Sequence, residues 1–190
     1  MGKINRCIAV AAMALLVACQ VSVEKPEASE EVEELYTYDV EAKLQDLGIE
    51  LKEPSPPVAN YVNSVRTGNL VFMAGKGPTK PEGGYIVGKV GSDLTIEEGY
   101  EAARYAAITQ IAALKAEIGD LNKVVRIVKV KGMVNAVPEF ENQPEVINGF
   151  SDLMVEVFGE RGKHARAAVG MGSLPRNIAV EIEMIVEVQP

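Results

Sequence analysis

The segment from Ile178 to Val188 alternates strictly between two kinds of side chain, and this pattern restricts the chain to folds built on a sheet with one buried face. Every second residue of the segment is apolar: Ile178, Val180, Ile182, Met184, Val186 and Val188. The residues between them include Glu181, Glu183 and Glu187. Successive side chains of a strand point to opposite faces. We therefore predict a C-terminal strand with its apolar face in the core.

Two amphipathic helices are predicted to cover that apolar face. Thr95 and Glu98 have the spacing of a capping box, which marks a helix start. The segment after them has apolar residues at steps of three and four, and Gly119 is a typical helix end. A second helix is predicted over Glu145–Phe158.

The remaining extended segments complete one sheet. They are β-branched or alternating runs: Tyr61–Val65, Leu70–Ala74, Val124–Val134 and His164–Met171. The first two form a predicted hairpin, because Gly68 and Asn69 supply a turn between them. The resulting order, β-β-α-β-α-β-β, predicts an α+β fold: a two-layer sandwich in which two helices cover one mixed sheet.

The N-terminal segment has the features of an export signal. Lys3 and Arg6 precede a short apolar run, Ile8–Val17. This run is shorter than the ~20 apolar residues that a membrane-spanning helix needs, so a secretory signal is the better interpretation. An ordinary cleavable signal that contains a cysteine is one alternative.

The end of the apolar run resembles the lipobox of bacterial lipoproteins. Leu16, Val17 and Ala18 precede Cys19, and in such proteins the cysteine is lipidated and becomes the first mature residue. The resemblance implies export to the bacterial periplasm and a membrane anchor through Cys19. Gln20 follows where an aspartate favours inner-membrane retention, so the outer membrane is the expected destination.

Charge and proline content predict a boundary between a tether and a folded domain. Between residues 24 and 53 there are eleven acidic residues and three lysines, a composition typical of a solvated spacer. Pro54, Pro56 and Pro57 then favour an extended connection. We predict a signal over residues 1–19, an acidic tether over 20–56 in which Asp39–Leu47 forms a short helix, and one domain over 57–190.

Composition excludes several kinds of site. His164 is the one histidine, which excludes a multi-histidine metal cluster and argues against a Ser-His-Asp arrangement. Cys7 and Cys19 both lie in the signal, so no cysteine remains in the predicted domain. The domain has few aromatic residues and no basic excess, so we expect no nucleic-acid partner. No metal or organic cofactor is expected.

Arg166 is the candidate binding residue, because it lies in the small, apolar run Ala165–Val169. A buried guanidinium without a partner costs several kcal/mol. Arg166 therefore extends to solvent, pairs with Glu181 or Glu183, or binds an anionic ligand. Arginine geometry suits a carboxylate held by two parallel hydrogen bonds.

Several separated motifs resemble the RidA (YjgF, reactive intermediate deaminase) family over about residues 58–188. The C-terminal part carries an Ala-Arg pair, a Leu-Pro pair and a strand with alternating glutamates: Ala165-Arg166, Leu174-Pro175 and Val180–Glu183. The N-terminal hairpin and the second helix carry the others: Tyr61-Val62, Gly68-Asn69, Ala74-Gly75 and Val146–Asn148.

The resemblance implies a chorismate-mutase-like fold and a homotrimer with clefts between subunits. It implies that Arg166 holds a substrate carboxylate and that Glu181 positions the attacking water. It also implies that Tyr61 and Asn148 line the cleft. The implied reaction is hydrolysis of a 2-imino acid, or its enamine tautomer, to a 2-keto acid and ammonia. It needs no cofactor.

Three positions depart from the pattern of the well-studied deaminases. Ala74, Ala168 and Gly170 stand where those proteins have serine, cysteine and glutamate. The segments 82–93 and 135–144 resemble a divergent branch named for an L-PSP-type endoribonuclease. Two alternatives to deamination therefore stay open: a non-catalytic trimeric module that binds small molecules, and, as the least favoured, an endoribonuclease.

Overall fold

One mixed sheet of five strands and three α-helices make up the fold in the computed structural model, which describes residues 34–54, 56 and 59–190. The elements in chain order are α1 (Val40–Asp46), β1 (Ser64–Thr67), β2 (Leu70–Lys76), α2 (Ile96–Ile118), β3 (Val124–Asn135), α3 (Gln143–Phe158), β4 (Ala165–Met171) and β5 (Val180–Val188). Short 3₁₀ helices follow α2, α3 and β4: Leu121–Lys123, Gly159–Gly162 and Pro175–Asn177. The predicted α+β fold is confirmed.

The strand order in the sheet is β1-β2-β5-β3-β4. β4 runs parallel to β3, and all other neighbouring strands are antiparallel. β1 and β4 are the edge strands, and the C-terminal β5 is the central one. β5 alternates between fully buried and partly exposed residues, as its sequence predicts.

The predicted element boundaries hold with one clear exception. The capping box is formed, since the Thr95 amide donates to Glu98 Oε2 (2.8 Å) and the Glu98 amide donates to Thr95 Oγ1 (3.2 Å). The first strand was predicted to begin at Tyr61 but begins at Ser64. Ser64 pairs with Met73, after which β2 bulges away, so the residues before Ser64 have no regular ladder to join.

Small residues let α2 and α3 pack closely, and this fixes the face of α3 that carries Asn148. α2 buries six alanines: Ala102, Ala103, Ala106, Ala107, Ala112 and Ala113. On α3, a Cβ added to Gly149 would lie 2.0 Å from the Tyr100 carbonyl oxygen. Only glycine permits this contact, so the two backbones meet directly.

Residues 34–190 form one compact unit, which includes residues of the predicted acidic tether. Val40 and Leu44 of α1 are buried in the core, and the predicted short helix is present. The apolar residues of α1 are spaced four apart, so one face of an otherwise acidic helix packs on the domain. The predicted signal, Cys19 and the tether up to residue 33 lie outside the described residues.

Hydrogen bonds fasten this N-terminal segment to the domain. The Tyr36 hydroxyl donates to the Val124 carbonyl (2.7 Å), and Arg161 Nε donates to the Leu35 carbonyl (3.0 Å). The Arg161 guanidinium also lies 5.6 Å from the centre of the Tyr36 ring. No helix of the described part of the chain has the length and apolar character needed to cross a bilayer.

Candidate functional site

Arg166 lies on the edge strand β4, on the side of the sheet that the helices cover. It is aligned with Val130 of β3, which is aligned in turn with Met184 of β5. Val130 and Met184 are buried beneath the helices, and aligned residues of neighbouring strands share a face. The side chain of Arg166 therefore points towards α3, where it is partly exposed.

One nitrogen of the Arg166 guanidinium is held by α3. Nη1 donates to Asn148 Oδ1 (2.8 Å) and to Ser151 Oγ (3.1 Å), which uses both of its hydrogens. Within the described part of the chain, Nε and Nη2 have no hydrogen-bond partner. These two nitrogens form one edge of the planar group, and that edge matches the two oxygens of a carboxylate.

Ser151 is in turn hydrogen-bonded to His164. The Ser151 Oγ lies 3.1 Å from His164 Nε2, and His164 Nδ1 lies 2.7 Å from the Gly162 carbonyl oxygen. A carbonyl oxygen only accepts, so Nδ1 carries a hydrogen, and in the neutral imidazole Nε2 then accepts from the Ser151 hydroxyl. Burial lowers the pKa of His164, the hydrogen bond to the Gly162 carbonyl raises it by less, and the positive charge of Arg166 adds a still smaller lowering.

Glu181 lies on the opposite face of the sheet from Arg166. It is aligned with Met133 of β3, which is aligned with Val169 of β4. Burial raises the pKa of Glu181, the neighbouring Glu183 raises it further, and Lys131 opposes both. Its carboxylate has no hydrogen-bond or ion-pair partner among residues 34–54, 56 and 59–190.

The alternative that Arg166 pairs with a glutamate of β5 is wrong. Glu183 pairs instead with Lys131, with 3.0 Å between Lys131 Nζ and Glu183 Oε1. β3 lies between β4 and β5, and the glutamates point away from the helices. Strand order and face therefore both separate Arg166 from Glu181 and Glu183.

Two residues beside Glu181 determine its surroundings. A Cβ added to Gly75 would lie 2.5 Å from Glu181 Oε1, so glycine makes room for the carboxyl group. Gln110 of α2 is fully buried, and its Nε2 donates to the carbonyls of Ala74 (2.9 Å) and Ile182 (2.6 Å). These two hydrogen bonds stabilise the irregular segment after Met73, where the pairing of β2 with β5 shifts register.

Tyr61 lies just before β1 and is 52% exposed. Two residues later, the Asn63 carbonyl accepts from the Ala74 amide (2.9 Å), next to Gly75 and Glu181. The four predicted site residues therefore form two groups. Arg166 and Asn148 are in contact on the helix side, while Tyr61 and Glu181 belong to the region around the end of β2.

Gly170 stands where the resemblance implies a glutamate, and in the structure the side chain of Gln143 occupies the space beside it. A Cβ there would lie 2.8 Å from Gln143 Nε2, which donates to the Phe140 carbonyl (2.7 Å). Gly170 also borders a cavity of about 600 Å³ whose lining includes Lys89 and Met171. This cavity begins four residues along β4 from Arg166, so it is separate from the guanidinium edge.

The sequence analysis missed three of these residues. Gln110 was placed in a helix without a role, and Ser151 was not singled out. His164 was considered only for a triad or a metal site. A signal for two of them was present: Asn148 and Ser151 are three apart in a helix, while His164 and Arg166 are two apart in an extended segment. Each spacing puts its pair on one face. The described residues contain no group of three or more metal-ligating side chains.

Comparisons with known proteins agree on the kind of fold. A family profile described as "YjgF/chorismate_mutase-like, putative endoribonuclease" matches residues 41–188. Protein TCP17 of Trypanosoma cruzi is 44% identical over 149 residues, which cover 78% of this chain and 93% of that protein. A RutC family protein of Pyrococcus abyssi is 32% identical over 68% of this chain and 87% of its own length.

A solved structure shows the same similarity in three dimensions. The Agrobacterium tumefaciens protein Atu1372, whose function is unknown, superposes with a TM-score of 0.74 at 43% sequence identity. The match covers 79% of this chain and 92% of that one.

Proposed function

The chain belongs to the YjgF family, and on that premise we propose that it binds small carboxylates at Arg166 and hydrolyses 2-imino acids to 2-keto acids and ammonia. The observation that carries the proposal is the state of the Arg166 guanidinium. Nη1 is hydrogen-bonded within the chain, whereas the edge formed by Nε and Nη2 has no partner among the residues that the structure describes. An arginine whose guanidinium is already oriented in this way is preorganised to bind a carboxylate.

We propose that a second copy of the chain completes the site. Arg166 and Glu181 lie on opposite faces of the sheet and on strands separated by β3. A substrate of a few carbon atoms cannot reach from one to the other within a single chain. An interface that brings Arg166 and Asn148 of one copy to Tyr61 and Glu181 of another would place both groups on one substrate.

The uncovered face of the sheet supports a homotrimer. Val65, Phe72 and Ile185 are aligned across β1, β2 and β5, and Val65 and Phe72 are 57% and 41% exposed. Val169 of β4 is exposed as well. Pairing three such faces in a closed ring would bury this apolar surface. We expect a trimer by light scattering at micromolar concentration, and a monomer would contradict the proposal.

In the proposed reaction, Arg166 holds the substrate carboxylate and Glu181 accepts a proton from water. The water oxygen bonds to the carbon of the C=N group while the π electron pair moves to nitrogen, and Glu181 passes its proton to that nitrogen. Transfer of the second water hydrogen to nitrogen accompanies formation of the C=O bond and cleavage of the C–N bond, which releases ammonia. One imino acid and one water thus become one keto acid and one ammonia. Glu181 suits this role because its raised pKa makes it a better base than an ordinary carboxylate.

Ammonia release from 2-iminopropanoate tests the proposal. The imine is generated in the assay from alanine by an amino-acid oxidase, and the enzyme-dependent rate is compared between variants. We expect Arg166→Ala and Glu181→Gln to lose that rate. Glu183→Gln is the matched control, because Glu183 lies on the same face of β5 but is paired with Lys131. Equal rates with and without wild-type protein would refute deamination.

The departures from the family pattern favour a second candidate function. Ala74 and Ala168 lack the hydroxyl and thiol groups that the resemblance would place there, while the Arg166 edge is intact. A non-catalytic module would bind keto acids with the same dependence on Arg166 and release no ammonia. Calorimetric titration beside the ammonia assay separates the two functions.

We also propose that the chain is exported and anchored through a lipid on Cys19. Support comes from the order of Lys3 and Arg6, the apolar run and the Leu-Val-Ala-Cys end. The proposed destination is the periplasm, with the outer membrane favoured over the inner. We expect no RNA partner, and this can be checked with an RNA-binding assay titrated with salt.

A further inference from the structure

Behind Arg166 runs a chain of hydrogen bonds that the proposed reaction does not use. Arg166 Nη1 donates to Ser151 Oγ (3.1 Å), and the Ser151 hydroxyl lies 3.1 Å from His164 Nε2. His164 Nδ1 lies 2.7 Å from the Gly162 carbonyl oxygen. These hydrogen bonds thus connect Arg166 with the backbone of the 3₁₀ helix that follows α3.

When His164 is neutral, the two ends of this series of hydrogen bonds determine the direction of every bond in it. A guanidinium only donates and a carbonyl only accepts. The hydrogen of His164 must therefore be on Nδ1, and the Ser151 hydrogen must point to Nε2. The Ser151 oxygen is then left to accept from Arg166. One protonation state of His164, the neutral one, gives this arrangement.

Two anchors restrict the guanidinium more than one would. Asn148 alone would hold one hydrogen of Nη1 and leave the plane of the group free to rotate about that bond. Ser151 lies one helical turn further along α3 and accepts the second hydrogen. Two acceptors define the plane of the group, and the plane determines where the Nε and Nη2 edge points.

We propose that Ser151 and His164 are positioning residues that set the orientation of Arg166 for carboxylate binding. The inference rests on the proposed function, because it assigns Arg166 the role of the ligand-binding residue. The proposed arrangement also restricts how Ser151 can interact with a bound carboxylate. Ser151 donates its hydrogen to His164 and therefore cannot also donate it to a ligand.

The first test measures the positions of hydrogens without any ligand. The chain has one histidine, so ¹⁵N NMR of histidine-labelled protein reports on His164 alone. We expect the tautomer with hydrogen on Nδ1 in the wild type. We also expect slow rotation of the Arg166 guanidinium, with Arg166→Lys used to identify its signals. Ser151→Ala should make this rotation fast, and Ser151→Thr should restore slow rotation because the hydroxyl is kept.

The second test measures pyruvate binding by calorimetry with the same proteins. We expect Ser151→Ala and His164→Leu to weaken binding about tenfold, the effect typical of losing one hydrogen bond to a charged group. Ser151→Thr should bind within about threefold of the wild type. Ser92→Ala is the matched control, because Ser92 is an exposed serine that contacts Asp93 rather than Arg166.

The outcomes separate this inference from the proposed function. If Arg166 is held through Ser151 but the wild type does not bind pyruvate, the proposed function fails and the positioning role stands. If guanidinium rotation is the same with and without Ser151, the positioning role is refuted whatever the affinity. Covalent labelling of Ser151 by a fluorophosphonate would also overturn it, since the serine would then act as a nucleophile.

Discussion

Replacing Arg166 with alanine distinguishes a ligand-binding arginine from a structural one. Removing one member of a buried ion pair lowers the unfolding free energy by about 3–5 kcal/mol, because the charge of its partner is left buried and unpaired. In the described part of the chain Arg166 has no such partner, because its hydrogen bonds go to the neutral groups of Asn148 and Ser151. We therefore expect the free energy of unfolding to change much less than the loss of a buried pair would require.

The structure gives the size of the expected change. Arg166→Ala removes two hydrogen bonds, at 2.8 and 3.1 Å, each made by a charged donor. Asn148 and Ser151 are partly exposed, so water replaces much of what the acceptors lose. We expect a loss of about 1–2 kcal/mol in unfolding free energy. Pyruvate affinity should fall about a hundredfold or more, because both bonds to the carboxylate are lost.

Urea unfolding followed by circular dichroism measures the first quantity, and calorimetric titration with pyruvate measures the second. Arg166→Lys is the informative companion, since it keeps the charge but not the two-pronged geometry. We expect its stability to be close to that of Arg166→Ala and its affinity to remain far below that of the wild type. A stability loss above about 3 kcal/mol together with unchanged pyruvate affinity would refute the reasoning.

Four further predictions concern other parts of the chain. Because the pKa of Glu181 is raised above its ordinary 4.5 by folding, its ionisation favours the unfolded state. Glu181→Gln should therefore become more stable relative to the wild type as pH rises above that ordinary value, in urea unfolding at several pH values; a constant difference would contradict the shift. Leu44→Ala should lower the unfolding free energy by about 2–4 kcal/mol, since Leu44 is 3% exposed in the core, and a change near zero would mean that α1 is not part of the folded unit. Gln110→Met should cost about 2 kcal/mol or more, because two buried carbonyls lose their donor; equal stability would show that other donors replace it. Cys19→Ser should abolish labelling by a radioactive fatty acid in cells, and persistent labelling would exclude Cys19 as the lipidated residue.

The sequence predicted the elements of the fold well, because those elements depend on local patterns. The alternation in β5, the capping box of α2 and the glycine at its end each act within a few residues, so the pattern and the structure agree. The class of fold followed from the order of these elements. The motifs around Arg166 and Glu181 also indicated the family, which the match over residues 41–188 confirms.

The predicted tether contains residues that are buried in the core, because average charge does not show which face of a helix packs. The acidic composition of residues 24–53 is typical of a spacer, and most of the acidic side chains of α1 and its surroundings do face solvent. Burial depends on one face of a helix rather than on average composition. Val40 and Leu44 bury one face of α1 in the core. Hydrogen bonds made by Tyr36 and Arg161 fasten the preceding residues to the domain.

The relation between the site residues could come only from the tertiary structure. The sequence by itself determined that Arg166 lies in a strand, that Glu181 lies in another, and that each strand has two faces. It left open whether the two side chains meet, because that depends on strand order and register. β3 lies between their strands, and their side chains point to opposite faces. The same long-range packing brings Ser151 of α3 and His164 beside Arg166, since contacts between elements distant in the chain are decided by how the layers pack and not by local spacing.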